Sequence, residues 1–460
     1  MASNGQFVSK ARTHVTSVFV LAVLLLLARA TAAVAGTYYV DQGDSRASDS
    51  NSGTATSPWK TLLKATQTAV AGDVVVVKAG RYVDPASTWE AAFNPVNSGT
   101  AQAPIVFRSE PRLAAVVAPG DFPLNHSQAF GVENRNYIVI DGFKAEGQIQ
   151  MLGCIGGTIQ NCEVIYGSVE GDDLSLNWGL TLHTSSQMLV RNNYVHNMNN
   201  DGNNAHNTAG IMVFQSNNSV IENNDVDCGG GTVYASYGQK GGLITFNVWR
   251  RNIARNGVTG FLGMGSTDNT KLSSDNQFYS NIIINSSQSA FELDHATARF
   301  DIYNNVAYNS GAFVWAGYDD AANTAMRFWN NLVVGGKDGY HRETGATVDW
   351  HALVASSDHN NFNTPKVAVW NWGGSSYTTL ATWTPATLFD PLSLSINPGF
   401  VNAAGGDFHL STTSLCRGVG LNGVDLGAYP TRTETIGPDF QPLPPGDVAT
   451  PSAVTDLRAR

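Results

Sequence analysis

Asn192-Asn193-Tyr194-Val195, Asn223-Asn224-Asp225-Val226 and Asn304-Asn305-Val306 repeat one pattern, an Asn pair running into apolar residues. Variants stand at Arg251-Asn252-Ile253, Ser280-Asn281-Ile282 and Asn330-Asn331-Leu332. Counted on the second member, Asn193, Asn224, Asn252, Asn281, Asn305 and Asn331 are 31, 28, 29, 24 and 26 residues apart. A unit of that size cannot bury an apolar face alone, so it must stack on its neighbours, and a period in this range marks a solenoid. Between the Asn positions lie short runs that open on a small residue: Gly210-Ile211-Met212-Val213-Phe214, Gly260-Phe261-Leu262-Gly263, Ala290-Phe291-Glu292-Leu293-Asp294, Ala312-Phe313-Val314-Trp315 and Gly339-Tyr340-His341. Each reads as a strand with one buried face. The Asn marks a bend, because it tolerates left-handed backbone and its amide satisfies backbone groups. Stacked coil on coil, these side chains are expected to form a hydrogen-bonded ladder along the axis.

The pattern resembles the right-handed parallel β-helix superfamily of pectate lyases and other polysaccharide-degrading proteins. The resemblance implies an all-β solenoid over 36–430. Tyr38-Tyr39-Val40-Asp41, the run Ser57-Pro58-Trp59-Lys60-Thr61, a helix over 62–70 and a returning strand to Tyr82 are similar to the opening segment of secreted β-helix proteins, where a short helix plugs the open end. An uncapped end would expose strand edges and apolar side chains, so Trp59, Leu62, Leu63 and Ala65 are assigned to this cap. Strands are also expected at 105–107, 137–143 and 157–162, in early coils. Asp358-His359-Asn360-Asn361-Phe362 reads as one more coil beyond Asn331, and 397–429 resembles the closing segment of the same proteins.

At the N-terminus, Lys10 and Arg12 precede an apolar stretch, and Ala33-Val34-Ala35 offers a small-x-small cleavage site. Residues 1–35 therefore read as a secretory signal, which implies an extracellular protein with no membrane segment after cleavage. Cleavage removes Lys10, Arg12 and Arg29 and no acid, which takes the formal net charge from −10 to −13. So acidic a chain is a poor partner for nucleic acid or anionic membranes. A monomer is expected. Cys154, Cys162, Cys228 and Cys416 match no zinc spacing; Cys162 falls where an earlier ladder Asn would stand, and a Cys154–Cys162 disulfide is equally compatible with the spacing. From Thr431 the chain turns Pro-rich, the composition of a linker, and 451–457 resembles the first strand of a fibronectin type III module.

A solenoid presents function on outward side chains, which alternation sorts. With Ile211, Val213, Phe261, Phe291, Leu293, Phe313 and Trp315 placed inward, the outward column is Thr181/His183, Met212/Phe214, Leu262/Met264, Glu292/Asp294, Val314/Ala316 and His341/Glu343. That column is mostly apolar; Glu292 and Asp294 interrupt it, and His295, which follows directly, is a further candidate for proton transfer. Paired carboxylates suit calcium or an acid and base pair for glycoside cleavage; a solvated surface pair is the plain alternative. Lys240, in the turn Tyr237-Gly238-Gln239-Lys240-Gly241-Gly242, and Arg342 are candidate bases. His183, Phe214, Tyr237, Tyr318 and His341 are candidate substrate contacts, with Trp178 and Tyr234 as further rings near strand ends. The resemblance implies a polysaccharide bound along the groove and cleaved by β-elimination with calcium. A glycoside hydrolase using Glu292 and Asp294, and a non-catalytic adhesion module, are the alternatives. The Asp clusters of the pectate lyases and the ordered motifs of the polygalacturonases are missing from this sequence.

Overall fold

The computed structural model describes residues 35–439 apart from 87, 89–90, 120–127, 166–177, 199–207, 239–242, 267–271, 317–322, 343–349 and 373–374. Residues 1–34 of the signal segment and 440–460 of the tail lie outside them. Among the described residues no helix is long and apolar enough to cross a membrane.

The chain winds through three sheets in turn. One coil runs through Leu189–Arg191 in the first sheet, Tyr194–His196 in the second and Ala209–Phe214 in the third, and the next begins at Val220–Glu222, back in the first. Among the described residues these sheets contain 12, 11 and 11 strands. Counterparts in successive coils pair in parallel, as in the series Leu180, Ile211, Tyr234, Phe261, Phe291, Val314, Tyr340. This is a parallel β-helix. Aromatic side chains stack in register inside it: Tyr234 on Phe261 at 4.7 Å and Phe261 on Phe291 at 5.4 Å. Tyr234, expected near the surface, is therefore core, and its hydroxyl donates to the Asn224 carbonyl at 3.1 Å.

The ladder is present, and the two members of each pair divide its tasks. Asn281 Oδ1 accepts from Asn252 N at 3.0 Å and Nδ2 at 3.1 Å, while Asn281 Nδ2 donates to the Trp249 carbonyl at 2.9 Å and to Asn305 Oδ1 at 3.0 Å. The same contacts link Asn193, Asn224, Asn305 and Asn331, all fully buried. The preceding residue makes the bend: Asn192, Asn223, Arg251, Ser280, Asn304 and Asn330 have φ between 52 and 58°. The ladder ends at Asn360 rather than Asn361, because His359 there takes the left-handed position. Cys162 fills the rung before Asn193, its N–H donating to Asn193 Oδ1 at 3.0 Å. All four cysteines are buried free thiols, so the Cys154–Cys162 disulfide is not formed; each is fixed in its own turn.

The N-terminal cap holds Trp59, Leu62 and Ala65 in the core beside the first rung. Its helix, α1 (Leu62–Thr66), is shorter than expected. Asp73 accepts from the N–H groups of Val70 and Gly36, both at 2.8 Å, and this turns the chain into the strand Val74–Val77. At the other end, residues 397–437 double back over the second sheet. Phe408, Cys416, Leu426 and Ala428 pack on Ile282, Val306 and Leu332. The bend residues anchor this strap: Asn330 Oδ1 accepts from Leu421 N at 2.7 Å, and Asn223 Nδ2 donates to the Thr435 and Gly437 carbonyls at 2.8 and 3.1 Å. Residues 431–437, read as linker, thus belong to the folded unit, because Asn223 holds the Thr435 and Gly437 carbonyls and Gly437 N donates to the Arg251 carbonyl.

Candidate functional site

The third sheet has the longest strands, such as Thr259–Met264 and Ser289–Asp294, against three residues at Gln277–Tyr279 in the first sheet and Ile282–Ile284 in the second. Its flanks carry the longest connections, before Trp178 and Ala209 in early coils and after Met264 and Ala316 in later ones.

Strict alternation fails at the start of these strands. Two consecutive residues face the core there: Val233-Tyr234, Ala290-Phe291, Phe313-Val314 and Val367-Ala368 are all buried in it. At Gly210, Gly260 and Gly339 a Cβ would lie 2.2 Å from Val226 Cγ1, 2.6 Å from Ile283 Cγ2 and 2.9 Å from Phe362 Cδ1, so second-sheet side chains fill the space that these glycines leave. As a result residues three apart share the outward face. Phe313 pairs with Ala290, not with Phe291, so Val314 and Ala316 turn inward and Trp315 turns outward beside Glu292. Ala312 stands beside Ser289, one place before Ala290, so the small first residues of these two strands are not in register.

The outward column is then Thr181, Met212, Ala235, Leu262, Glu292, Trp315 and His341. Glu292 and Asp294 face outward as expected, yet each is only 5% exposed, which removes the reading of a solvated pair. Glu292 Oε2 accepts the Thr259 hydroxyl at 2.5 Å. On the next rungs the Trp315 ring stacks on His341, with centroids 3.9 Å apart and planes at 19°. His341 Nδ1 meets Asp338 Oδ2 at 3.2 Å, and Asp338 Oδ1 is buried with no hydrogen-bond partner among the described residues. Asp338, Thr259 and Trp315 were not recognised in the sequence as site residues. Their signal, a spacing of three across two core-facing positions, is visible only in register.

Toward the N-terminus the same face is apolar. Met212, Phe214 and Leu262 pack with Trp178, Tyr237 and Met264. His183 stands edge-on to Phe214 at 4.7 Å, and burial holds its pKa below the ordinary value. His183, Phe214, Tyr237 and His341 thus share one face with the acids. Arg342 does not: it falls in the column of Ala316 and Leu293, out of phase with His341, because alternation resumes after Tyr340. His295 follows Asp294 in left-handed backbone, its carbonyl accepting from Gly265 N at 2.6 Å. Lys240, Tyr318 and Glu343 lie outside the described residues.

Calcium takes six to eight oxygens. Among the described residues no three His, Cys, Asp or Glu side chains are grouped to hold a metal, and one Glu292 oxygen already serves Thr259. The described donors do not fit a calcium site by themselves.

No protein family matches the chain, and no curated protein does. Solved structures resemble it at low identity. The crystal structure of pectate lyase Pel9A is similar at 15% identity and TM-score 0.49, over 86% of this chain and 96% of that one. An alginate lyase from Paenibacillus sp. str. FPU-7 is similar at 16% identity and TM-score 0.39, over 65% and 91%. A rhamnogalacturonan lyase is similar at 16% identity and TM-score 0.33, over 80% and 90%. The likeness is one of fold.

Proposed function

We propose that this is a secreted, carbohydrate-active protein that binds an extended polysaccharide along the outward face of the third sheet and cleaves it by acid and base hydrolysis at Glu292 and Asp294. The observation that carries this reading is that both carboxylates face outward from one strand yet are nearly withdrawn from water, beside the ring of Trp315. Side chains two apart on a strand have Cα atoms about 7 Å apart, which suits a pair of carboxyls flanking one glycosidic bond.

In this reading Glu292, steadied by the Thr259 hydroxyl, is the carboxylate that attacks the anomeric carbon or activates water, and Asp294 gives its proton to the leaving oxygen. Trp315 supplies a flat apolar surface for a sugar ring. His341, oriented by Asp338 through Nδ1, can offer Nε2 to a sugar hydroxyl. Coils rise by about 4.8 Å, close to the length of a sugar unit, so a glycan chain running along the axis meets one rung per unit.

The test is a panel of neutral and uronate polysaccharides scored for new reducing ends and for the ultraviolet absorbance of an unsaturated product. Reducing ends without absorbance, lost in Glu292→Gln, support hydrolysis. An absorbing product would assign elimination instead, and no product would leave a binding module.

A further inference from the structure

On the second sheet, away from the acids, a cavity of about 340 Å³ is lined by Tyr194, Asp225, Ile253, Arg255, Ile436, Gly437 and Pro438. Its volume lies in the range of small-ligand sites, about 300–1,000 Å³. Two parts of the chain build it. The floor comes from successive rungs, in which Tyr194, Asp225 and Ile253 are aligned in register. The wall is the end of the strap, pinned where Gly437 N donates to the Arg251 carbonyl at 2.8 Å and Asn223 holds the Thr435 and Gly437 carbonyls. Gly437 has φ 81°, and a Cβ there would stand 2.7 Å from Ile253 Cδ1, so the approach of strap to sheet depends on glycine.

The lining is pre-arranged. Arg255 Nε and Nη2 donate to the two oxygens of Asp225 at 2.8 and 3.1 Å, which fixes a planar array with acceptor lone pairs and guanidinium donors left over. Tyr194 is held by a stack on His196 at 4.2 Å, and His196 in turn meets Glu163 at 3.0 Å. Asp225 and Arg255 neutralise each other, and Asp227, close enough to act on Tyr194 and Arg255, leaves the surroundings slightly acidic, so the cavity disfavours an anion. Tyr194, Ile253 and Pro438 offer apolar contact, and the Asp225–Arg255 pair, with Asp225 on the rung between Tyr194 and Ile253, offers fixed polar groups among them. A pyranose ring has that polarity, with an apolar C–H face and equatorial hydroxyls.

We propose that this cavity is a second saccharide-binding site, taking one sugar unit of a neutral glycan and holding the polymer to the flank of the β-helix. The choice of glycan rests partly on the reading of the third sheet as a glycan-cleaving face. The site itself needs none of the residues of that face.

The experiment is titration calorimetry of the full chain carrying Glu292→Gln, with cellohexaose and xylohexaose as probes. Tyr194→Ala in that background is expected to weaken binding of at least one probe about tenfold, Tyr194→Phe to keep it, and Gly437→Val to weaken it by displacing the wall. With Glu292 intact, Tyr194→Ala should cleave short soluble substrate at the parental rate. Unchanged affinity in both Tyr194→Ala and Gly437→Val, or no binding of either probe to the parent, overturns the proposal. Tyr194-dependent binding by a protein that cleaves nothing removes the catalytic reading and keeps this one; cleavage without Tyr194-dependent binding does the reverse.

Discussion

Trp315 and His341 stack at 3.9 Å on neighbouring rungs, facing the same way as Glu292, with His341 tethered to Asp338. A tethered imidazole beside a flat ring is a positioning arrangement for a sugar. His341→Ala and Trp315→Ala are each expected to raise KM about tenfold, and Asp338→Asn by less, with kcat little changed. Steady-state kinetics on the cleaved polysaccharide decide this, and a fall in kcat of about 10²-fold in His341→Ala would overturn the reading of His341 as a substrate contact.

Glu292→Gln keeps an acceptor for the Thr259 hydroxyl and removes only the charge. Activity should fall by at least about 10²-fold in Glu292→Gln and in Asp294→Asn. Thermal melting should stay close to that of the parent. Full activity in either variant would place the chemistry elsewhere on the solenoid.

The Asn ladder predicts a steep structural cost. Asn281→Ala leaves the Asn252 N–H and amide without their acceptor and the Trp249 carbonyl without its donor. A buried polar group left unsatisfied costs about 1–3 kcal/mol, so a loss of roughly 3 kcal/mol or more is expected in urea unfolding. A loss below about 1 kcal/mol would mean that water replaces the amide.

Asp425 joins the strap to itself. Arg432 Nε and Nη2 donate to its two oxygens at 2.7 and 2.8 Å, and this holds the carboxyl below its ordinary pKa, helped by the Gly418 N–H. Because the folded value is depressed, the folded state binds the proton less readily than the unfolded chain. The contribution is fully present above the unfolded value of about 3.9 and is lost as pH falls through the folded one. Comparing urea unfolding of the parent and Asp425→Asn at pH 7 and pH 3 should show a gap at pH 7 that narrows at pH 3.

The thiols should be silent in the folded state. Burial pushes Cys162 and Cys228 up to about 12 and Cys154 and Cys416 up to about 11, far from thiolate at neutral pH. Four thiols should titrate with a disulfide reagent after denaturation and essentially none before it. Reductant should leave the melting temperature unchanged.

The chain pattern made most of the scaffold legible. The Asn spacing located the rungs, and Trp59, Leu62 and Ala65 located the cap, because repetition and burial leave local traces. Phase offered Cys162 as a ladder member but left a disulfide to Cys154 equally open; its N–H donates to Asn193, and its thiol is free. The site was legible in part. Glu292 and Asp294 follow one another on a strand whose alternation is regular after Phe291, so their shared face could be read; Asp338 and Trp315 could not, because the phase breaks just before them.

What the sequence determined by itself is the coil: which residues bend, which stack, and that identical side chains recur at a height where their amides must meet, since these follow from local geometry and period. Which residues share the groove was decided only by the tertiary structure. Val226, Ile283 and Phe362, on the second sheet, occupy the space beside Gly210, Gly260 and Gly339, and so draw two successive positions of the third sheet into the core. That packing between sheets, distant along the chain, sets Asp338 beside His341 and turns Trp315 out toward Glu292.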